Sequence, residues 1–311
     1  MAEKVRRLLL ANGLLDTSRS IGHEDGLVLF PIKSANIQLP DGCVVVMASL
    51  PENPRQRQAG GVGVSFDLVG SIAVINRPLD MAEAAHISSM IMARHPVVRT
   101  VLIKRGPVSG EERVGRYEVV AGIPSTETFH KESGCTFALD LAKVFFNPRL
   151  SSERLRIASM TGANEVVVDM FAGVGPFSIV LAKINSSVRV YSVEKSGTAF
   201  RYLLQNIKLN KVGDRVTALL GDASTILKGL PIAADRVIMN LPHQSINYLS
   251  AATEIVRDGG VIHLYTVERS KSLERAVEII HGMGRRVSHV STNHVKEISP
   301  RESILRLDLR L

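Results

Sequence analysis

The 311-residue chain has no tryptophan, and aromatic side chains make up only 5% of it. Such a chain offers no broad platform on which successive bases of a single strand could stack. Its two cysteines, Cys43 and Cys135, stand far apart, with no CxxC or Cys/His spacing. They support neither a disulfide framework nor a structural zinc site and fit a reducing cytosol. No uninterrupted apolar run reaches the length of a membrane span, and the opening MAEKVRRLLLANGLLDTSRS turns polar too soon for a signal peptide. Internal repeats and low-complexity tracts are absent as well. A soluble, cytoplasmic protein with no membrane contact is expected.

What the chain does have is basic charge and ample apolar residues. Lys+Arg number 38 against 30 Asp+Glu, a net charge of +8. A positive field of that kind concentrates polyanions, although charge alone describes an ordinary basic protein equally well. With 45% hydrophobic residues over this length, more than one domain is expected.

The carboxy-terminal half alternates strand and helix. Apolar, β-branched runs at 166–171, 188–193, 216–220, 236–241 and 260–267 are each followed by helical periodicity. That pattern predicts an α/β, Rossmann-like parallel sheet. After the helix-like SKSLERAVEIIHGMG, the closing RRVSHVSTNHVKEISPRESILRLDLRL reads as two strands joined at Pro300, an antiparallel hairpin added to the sheet. The arrangement is that of class I methyltransferases, an analogy of fold only.

The amino-terminal half is organised differently. Residues 1–49 read as a small domain with a helix, KVRRLLLANGLL, and short strands such as GLVLFPI; 50–64 is a Pro-, Gly- and Arg-rich linker. An α+β module follows at 65–150, with SFDLVGSIAVI as a strand, a helix over 81–94, then strands in VRTVLIKR, YEVVAG, ETFHKESG and TFALDLAKVFF. The parallel-sheet domain occupies 151–311.

The ligand of that sheet is legible in VVVDMFAGVGPFSIVLAK (166–183). A dinucleotide turn needs GxGxxG, and here the third glycine is missing: Gly173 and Gly175 are followed by Pro176, suited to a first helical position, and by Phe177, whose bulk would crowd a pyrophosphate. Asp169, at the strand end before Phe171, repels phosphate and favours a cation. The next strand ends at Glu194, placed to accept two ribose hydroxyls, and the third at Asp222, placed for an adenine amino group. S-adenosylmethionine has a sulfonium, a ribose and an adenine, and no phosphate. The competing explanation is that these acids cap helices. The fourth strand ends in NLPHQS, where Asn240 and Pro242 stand at the carboxyl edge of the sheet, able to meet a nucleobase edge; His243 replaces the aromatic residue of the Asx-Pro-Pro-aromatic signature.

These strings, together with HKESG, FFNPRLSSERLRI, NIKLN, VIMNLP, GGVIHLYT and SPRESILRLDL, occur in an order and spacing that resemble the archaeal and eukaryotic tRNA (guanine-N1)-methyltransferase family from about Ser65 to the end. The first 45 residues are similar to that family's small amino-terminal domain. The resemblance implies an enzyme that methylates N1 of guanosine 37, beside the anticodon of tRNA, from S-adenosylmethionine, with possible assistance from Mg²⁺, for which no carboxylate cluster identifies a site; a tRNA gripped by separate domains is compatible with a monomer, and no protein partner is implied. N1 of guanine carries a proton and charge builds on O6 as that proton leaves, so a base and a cation are needed. The resemblance places the base at Glu153 and the cation at Arg113, with Arg116 as competitor. By local pattern alone Glu153 is an exposed helix acid pairing with Arg149 or Arg156. Lys143, Arg149, Arg154 and Arg156 form a basic cluster that reads either as a solvated face or as phosphate contacts near the anticodon stem. His130 reads as structural. A wybutosine-pathway enzyme acting on the same nucleotide, by aminocarboxypropyl transfer or methylation of a tricyclic intermediate, is the alternative, and NLP argues against it. A catalytically silent RNA-binding protein is disfavoured by the intact acids at 169, 194 and 222.

Overall fold

The computed structural model describes residues 64–106, 115–267, 271–299 and 302–311, together with scattered positions between 5 and 50. The helix expected in KVRRLLLANGLL, the linker over 51–63, Arg113 and Pro300 therefore lie wholly or largely outside the described residues. Within the amino-terminal stretch, Val5, Leu9 and Leu15 form a small apolar cluster of their own. An antiparallel pair, β1 (Gly22–Glu24) and β2 (Leu27–Leu29), follows them.

Four strands make the next sheet, in the spatial order β3 (Phe66–Val69), β4 (Ile72–Ile75), β5 (Thr100–Lys104) and β6 (Tyr117–Gly122). SFDLVGSIAVI, expected as one strand, is a hairpin, because the chain reverses at Gly70. Its φ of 57° and the 2.3 Å that would separate a Cβ from Thr128 Oγ1 leave room for glycine alone. Helix α1 (Met81–Arg94) has the expected bounds, is capped by Asp80 and buries Ala84, Ile87 and Ile91 on the sheet. The hairpin of β7 (Glu127–Glu132) and β8 (Cys135–Asp140) comes next; TFALDLAKVFF leaves strand conformation at Asp140, whose carboxylate accepts the Ala142 N–H and the Thr126 hydroxyl.

From there the alternation is as predicted: α2 (Ser151–Met160), β9 (Val166–Asp169), α3 (Pro176–Ile184), β10 (Arg189–Glu194), α4 (Gly197–Asn210), β11 (Val216–Leu220), β12 (Ala234–Met239), α5 (Leu249–Ile255), β13 (Val256–Val267), α6 (Ser272–Gly282), β14 (His289–Ser299) and β15 (Glu302–Arg310). The seven strands pair in the order β11-β10-β9-β12-β13-β15-β14, the first five parallel and the last two antiparallel. Chain order reverses at β9, so a crevice opens where the connections after β9 and β12 diverge, at the carboxyl ends of the strands. Apolar clusters fill both faces of the sheet; the one containing Val167, Ile179 and Leu203 runs on to Phe137 and Leu139 of β8 and to Ile72 of β4.

Two asparagines of NIKLN explain how the β7–β8 hairpin is fixed to this sheet. Asn206 and Asn210, one turn apart on α4, imitate a strand for β8. Asn206 accepts from the Ala138 N–H at 2.7 Å and donates to its carbonyl at 3.1 Å, and Asn210 does the same for Thr136 at 2.8 and 2.7 Å. Buried backbone groups at that edge thereby keep their partners.

Candidate active site

A cavity of about 460 Å³ lies at the crevice, within the size range of small-molecule sites. Four of the five parallel strands contribute their carboxyl ends: Met170, Phe171 and Gly173 after β9, Glu194 and Lys195 from β10, Gly221 and Asp222 after β11, and the loop Asn240 to Gln244 after β12. The opposite wall comes from Lys104 at the end of β5, from Lys143 to Phe145, and from Asn147, Leu150 and Ile304.

The glycine turn works as a chemical filter. Gly173 has φ 57° and open space where a Cβ would stand, and its N–H donates to Glu194 Oε2 at 2.6 Å. The second oxygen of Glu194 accepts the Ser196 N–H at 2.7 Å. An amide at the entrance to α3 is the usual seat of a phosphate; here a carboxylate covers it and repels an anion. Asp222 both caps the helical turn Ala223–Ile226 and faces the cavity. It accepts the Ser224 hydroxyl at 2.6 Å and the Tyr248 hydroxyl at 3.1 Å. The Ser224 hydrogen bond, chiefly, keeps its carboxyl below the ordinary range and so charged. Tyr248 also meets Phe171 edge to face, with centroids 5.0 Å apart. The Asn240–Pro242 loop is pinned by Ser245, whose hydroxyl takes the Leu241 N–H at 3.0 Å and donates to the Met239 carbonyl at 2.9 Å.

Of the residues expected at the cofactor, Phe171, Gly173, Glu194, Asp222 and Asn240 line this cavity, as does Pro242, expected at the nucleobase, whereas Asp169, Gly175 and Pro176 do not. Asp169 is fully buried behind the turn, where it accepts the Ser178 hydroxyl at 2.8 Å, and Ser178 in turn accepts from Ser192 at 2.7 Å. Burial raises its carboxyl to about 6. Gly175 is required by packing: its φ is 90°, and a Cβ would meet Leu203 Cδ1 at 2.6 Å. Pro176 is the first residue of α3, the position expected for it. Phe177 is turned into the core against Tyr265 and obstructs nothing, so phosphate is excluded by Glu194 and not by aromatic bulk.

The basic cluster divides in two. Lys143 and Arg149 are exposed at the surface, paired with Asp140 and Asp67. Arg154, expected to face RNA, is 2% exposed: its guanidinium donates to both oxygens of Glu132 at 2.5 and 2.6 Å and lies over the rings of Phe146 and Phe177. Arg156 is turned inwards as well, to Glu153 at 3.1 Å and Asp308 at 3.0 Å. Helix α2 leaves Ser152, Leu155, Ser159 and Met160 exposed, and both arginines are turned to its other side, towards buried acids. His130 holds the Gly70 N–H through Nδ1, a structural role.

Glu153 does not line the cavity. Its carboxylate is held by Arg306 at 2.8 and 3.0 Å, by the Tyr265 hydroxyl at 2.9 Å and by Arg156, one of the two local partners expected for it. The sequence reading missed Arg306 and Tyr265 because ILRLDLRL alternates apolar and polar residues, the mark of a strand with one wet face. The polar face is instead covered by α2, which leaves Arg306 and Asp308 buried. Lys104, Lys195 and Tyr248 were also missed as cavity residues. Lys104 comes from a different sheet and carries no motif; Lys195 is marked only by following Glu194 at the end of its strand.

Among the described residues no three His, Cys, Asp or Glu side chains stand together as a metal site, and no helix is long and apolar enough to cross a membrane. A family model described as the TRM5/TYW2 methyltransferase domain matches residues 128–291, and one described as the tRNA methyltransferase 5 N-terminal domain matches residues 1–37. The chain is similar to tRNA (guanine(37)-N(1))-methyltransferase Trm5b of Pyrococcus abyssi, with 36% identity over 99% of this chain and 96% of the relative. Among solved structures it is similar to aTrm5 in its complex with tRNALeu (TM-score 0.70, 31% identity, 100% of this chain and 97% of the other). It also resembles M. jannaschii TYW2 in complex with AdoMet (TM-score 0.60, 29% identity, 79% of this chain and 98% of the other). With a phosphate-rejecting cavity at the switch point of its sheet and a family match over more than half its length, the chain belongs to the TRM5/TYW2 methyltransferase family.

Proposed function

We propose that this protein transfers the methyl group of S-adenosylmethionine to N1 of guanosine 37 in tRNA. The observation that carries the reading is the cavity at the ends of β9 to β12, with Glu194 laid over the amide of the glycine turn. Its donor set suits a phosphate-free nucleoside that bears a cation. Glu194 is placed for ribose hydroxyls and Asp222 for the adenine amino group, with Phe171 and Tyr248 as apolar walls. Gly173, open where a Cβ would stand, lets the chain come close.

Bound there, S-adenosylmethionine supplies a methyl group on a sulfonium, an electrophile that needs only an attacking lone pair in line. The protein's own task is to free that lone pair. We assign the N1 proton to the Glu153 carboxylate, the charge growing on O6 to Arg113 or its neighbour Arg116, and the positioning of the base to Asn240 and Pro242 at the cavity floor. Lys143 and Arg149, exposed beside the cavity mouth, are assigned to tRNA phosphates. Residues 1–49 would form a separate tRNA-contacting domain, 65–150 the supporting module and 151–311 the methyl-transfer domain; the separate apolar cluster at Val5, Leu9 and Leu15 supports the first boundary. Action as a cytoplasmic monomer completes the reading.

The alternative, a wybutosine-pathway activity on the same nucleotide, gains support from the family, which embraces TYW2. What favours guanosine methylation is the match of residues 1–37 to the Trm5 amino-terminal domain and the similarity to Trm5b over nearly the whole chain. Purified protein incubated with tRNA transcripts bearing G37 or A37, and with S-adenosylmethionine labelled in either the methyl or the carboxypropyl group, separates the two. We expect methyl label in N1-methylguanosine on G37 tRNA only. Equal methylation of A37 tRNA, or incorporation of carboxypropyl label, would overturn the assignment.

A further inference from the structure

The partners of Glu153 form a closed ring. Arg306 Nη1 donates to both Glu153 oxygens, at 2.8 and 3.0 Å, and Arg306 Nε lies 3.2 Å from Asp308. Arg156 donates at 3.0 Å to Asp308 Oδ2, the oxygen that Arg306 Nε faces, and at 3.1 Å to Glu153. Two cations and two anions therefore alternate and cancel, with the whole ring largely shielded from water. Tyr265 and Arg306 are directly opposite one another in the register of β13 and β15, so the hydroxyl at 2.9 Å and the guanidinium reach the carboxylate from adjacent strands. Behind the ring, His263 bonds Asp308 at 2.5 Å through Nδ1 and faces Arg236 at 2.7 Å through Nε2. Arg236 can only donate, so His263 is neutral and donates its one proton to Asp308; burial lowers its proton affinity in keeping with this. Arg154, the remaining cation on the inner side of α2, is taken up by Glu132. The ring is close to the cavity: Ile304, two residues before Arg306 on the same face of β15, lines it, as does Leu150, three residues before Glu153.

We propose that Arg306 and Tyr265 are positioning residues that hold Glu153 as an aimed anion within this ring and set the pH above which it can take the proton from guanine N1. The inference rests on the reading of Glu153 as the base. The ring is neutral only while Glu153 is charged, because protonating the carboxylate leaves two cations facing one anion. Both carboxylate oxygens are thereby held in place before guanine arrives. In the step itself the N1–H bond breaks, its proton goes to a Glu153 oxygen, and the electron pair left on N1 forms the bond to the methyl carbon. The Tyr265 hydroxyl stays protonated throughout, since burial and then the adjacent Glu153 charge push it well above its ordinary range. It serves as a donor and takes no part as an acid.

Single-turnover methyl transfer at saturating tRNA and S-adenosylmethionine, followed from about pH 5 to pH 9, tests this in the full-length protein. We expect Tyr265→Phe and Arg306→Gln to move the acid limb of the rate profile to higher pH, by about one pH unit for the arginine change and less for the tyrosine change. At acidic pH this is a loss of roughly tenfold. Arg306→Lys should recover most of the shift, and tRNA affinity should be unaltered in all three. Glu153→Gln, measured in parallel, should abolish the limb together with most of the rate. If the tyrosine and arginine variants bind tRNA yet keep the wild-type profile while Glu153→Gln is inactive, the positioning role is overturned and the base survives. Wild-type rates in Glu153→Gln would overturn both. Tyr265→Phe removes one oxygen and leaves the ion ring whole, so it decides the question even if Arg306→Gln fails to fold.

Discussion

Asp169 has the strongest sequence signal of any acid in the chain, ending the first parallel strand just before the glycine turn, yet its carboxylate is sealed under α3 with Ser178 as its side-chain partner. Its folded-state proton affinity exceeds the unfolded one, about 6 against 3.8, so folding favours the protonated form. Stability from this group is complete below the unfolded value and is lost as pH rises through the folded value. An amide keeps the acceptor for Ser178 without acquiring charge. We therefore expect Asp169→Asn to gain on the wild type by about 2 kcal/mol between pH 4.5 and pH 7, measured by urea unfolding of the ligand-free protein. Parallel stability curves for the two proteins would contradict the assignment of Asp169 as a buried, strained acid. Arg154 is the complementary case, a cation that looked solvated and is buried with its acid. Removing it leaves the buried Glu132 carboxylate with His130, at 3.4 Å, as its remaining ion-pair partner; losing one member of a buried pair costs about 3 to 5 kcal/mol.

The glycine turn shows that neighbouring residues of one motif can serve different physical ends. Gly175→Ala forces a Cβ into Leu203 and Ile179, an overpacking cost of about 1 to 3 kcal/mol added to the penalty for positive φ. Gly173→Ala carries the φ penalty alone, but its new methyl projects into open space at the cavity wall. We expect the first variant to lose thermal stability with S-adenosylmethionine affinity retained in the folded fraction, and the second to lose affinity with a smaller change in melting temperature. Calorimetric titration and thermal melts distinguish these outcomes, and identical behaviour would refute the division. At this scale most of the fold was legible. The β-branched runs and their spacing marked the parallel strands because both faces of such strands are buried and the signal is continuous. The hairpin at Gly70 was marked only by the dipeptide Gly70-Ser71 between two apolar runs, a two-residue hairpin loop that the expectation of one long strand ran through. The ring around Glu153 was hidden for a different reason: alternation in β15 specifies that one face differs from the other, and only the path of α2 decides whether the polar face meets water or a helix.

Across the whole molecule, the excess of basic residues gives a field that attracts RNA at long range. If Lys143 and Arg149 meet tRNA phosphates, the logarithm of the binding constant should fall linearly with the logarithm of salt concentration. Arg149→Gln should then lower the slope by about 1. Filter binding between roughly 50 and 200 mM salt measures it; an unchanged slope would remove Arg149 from the contact surface. The same assembly also has an order in time. Strand β15 follows β14 in the chain but lies between β13 and β14 in the sheet. The outer strand therefore cannot dock until the hairpin has folded back and inserted its second arm beside β13. The walls that hold the cofactor come from β9 to β12 and need no part of that hairpin except Ile304, whereas Arg306 and Asp308 arrive only with it. If Glu153 is the base, a molecule that has not yet closed its sheet would have a seat for the methyl group without the residues that hold that base, and the capacity to react would wait for the hairpin to insert.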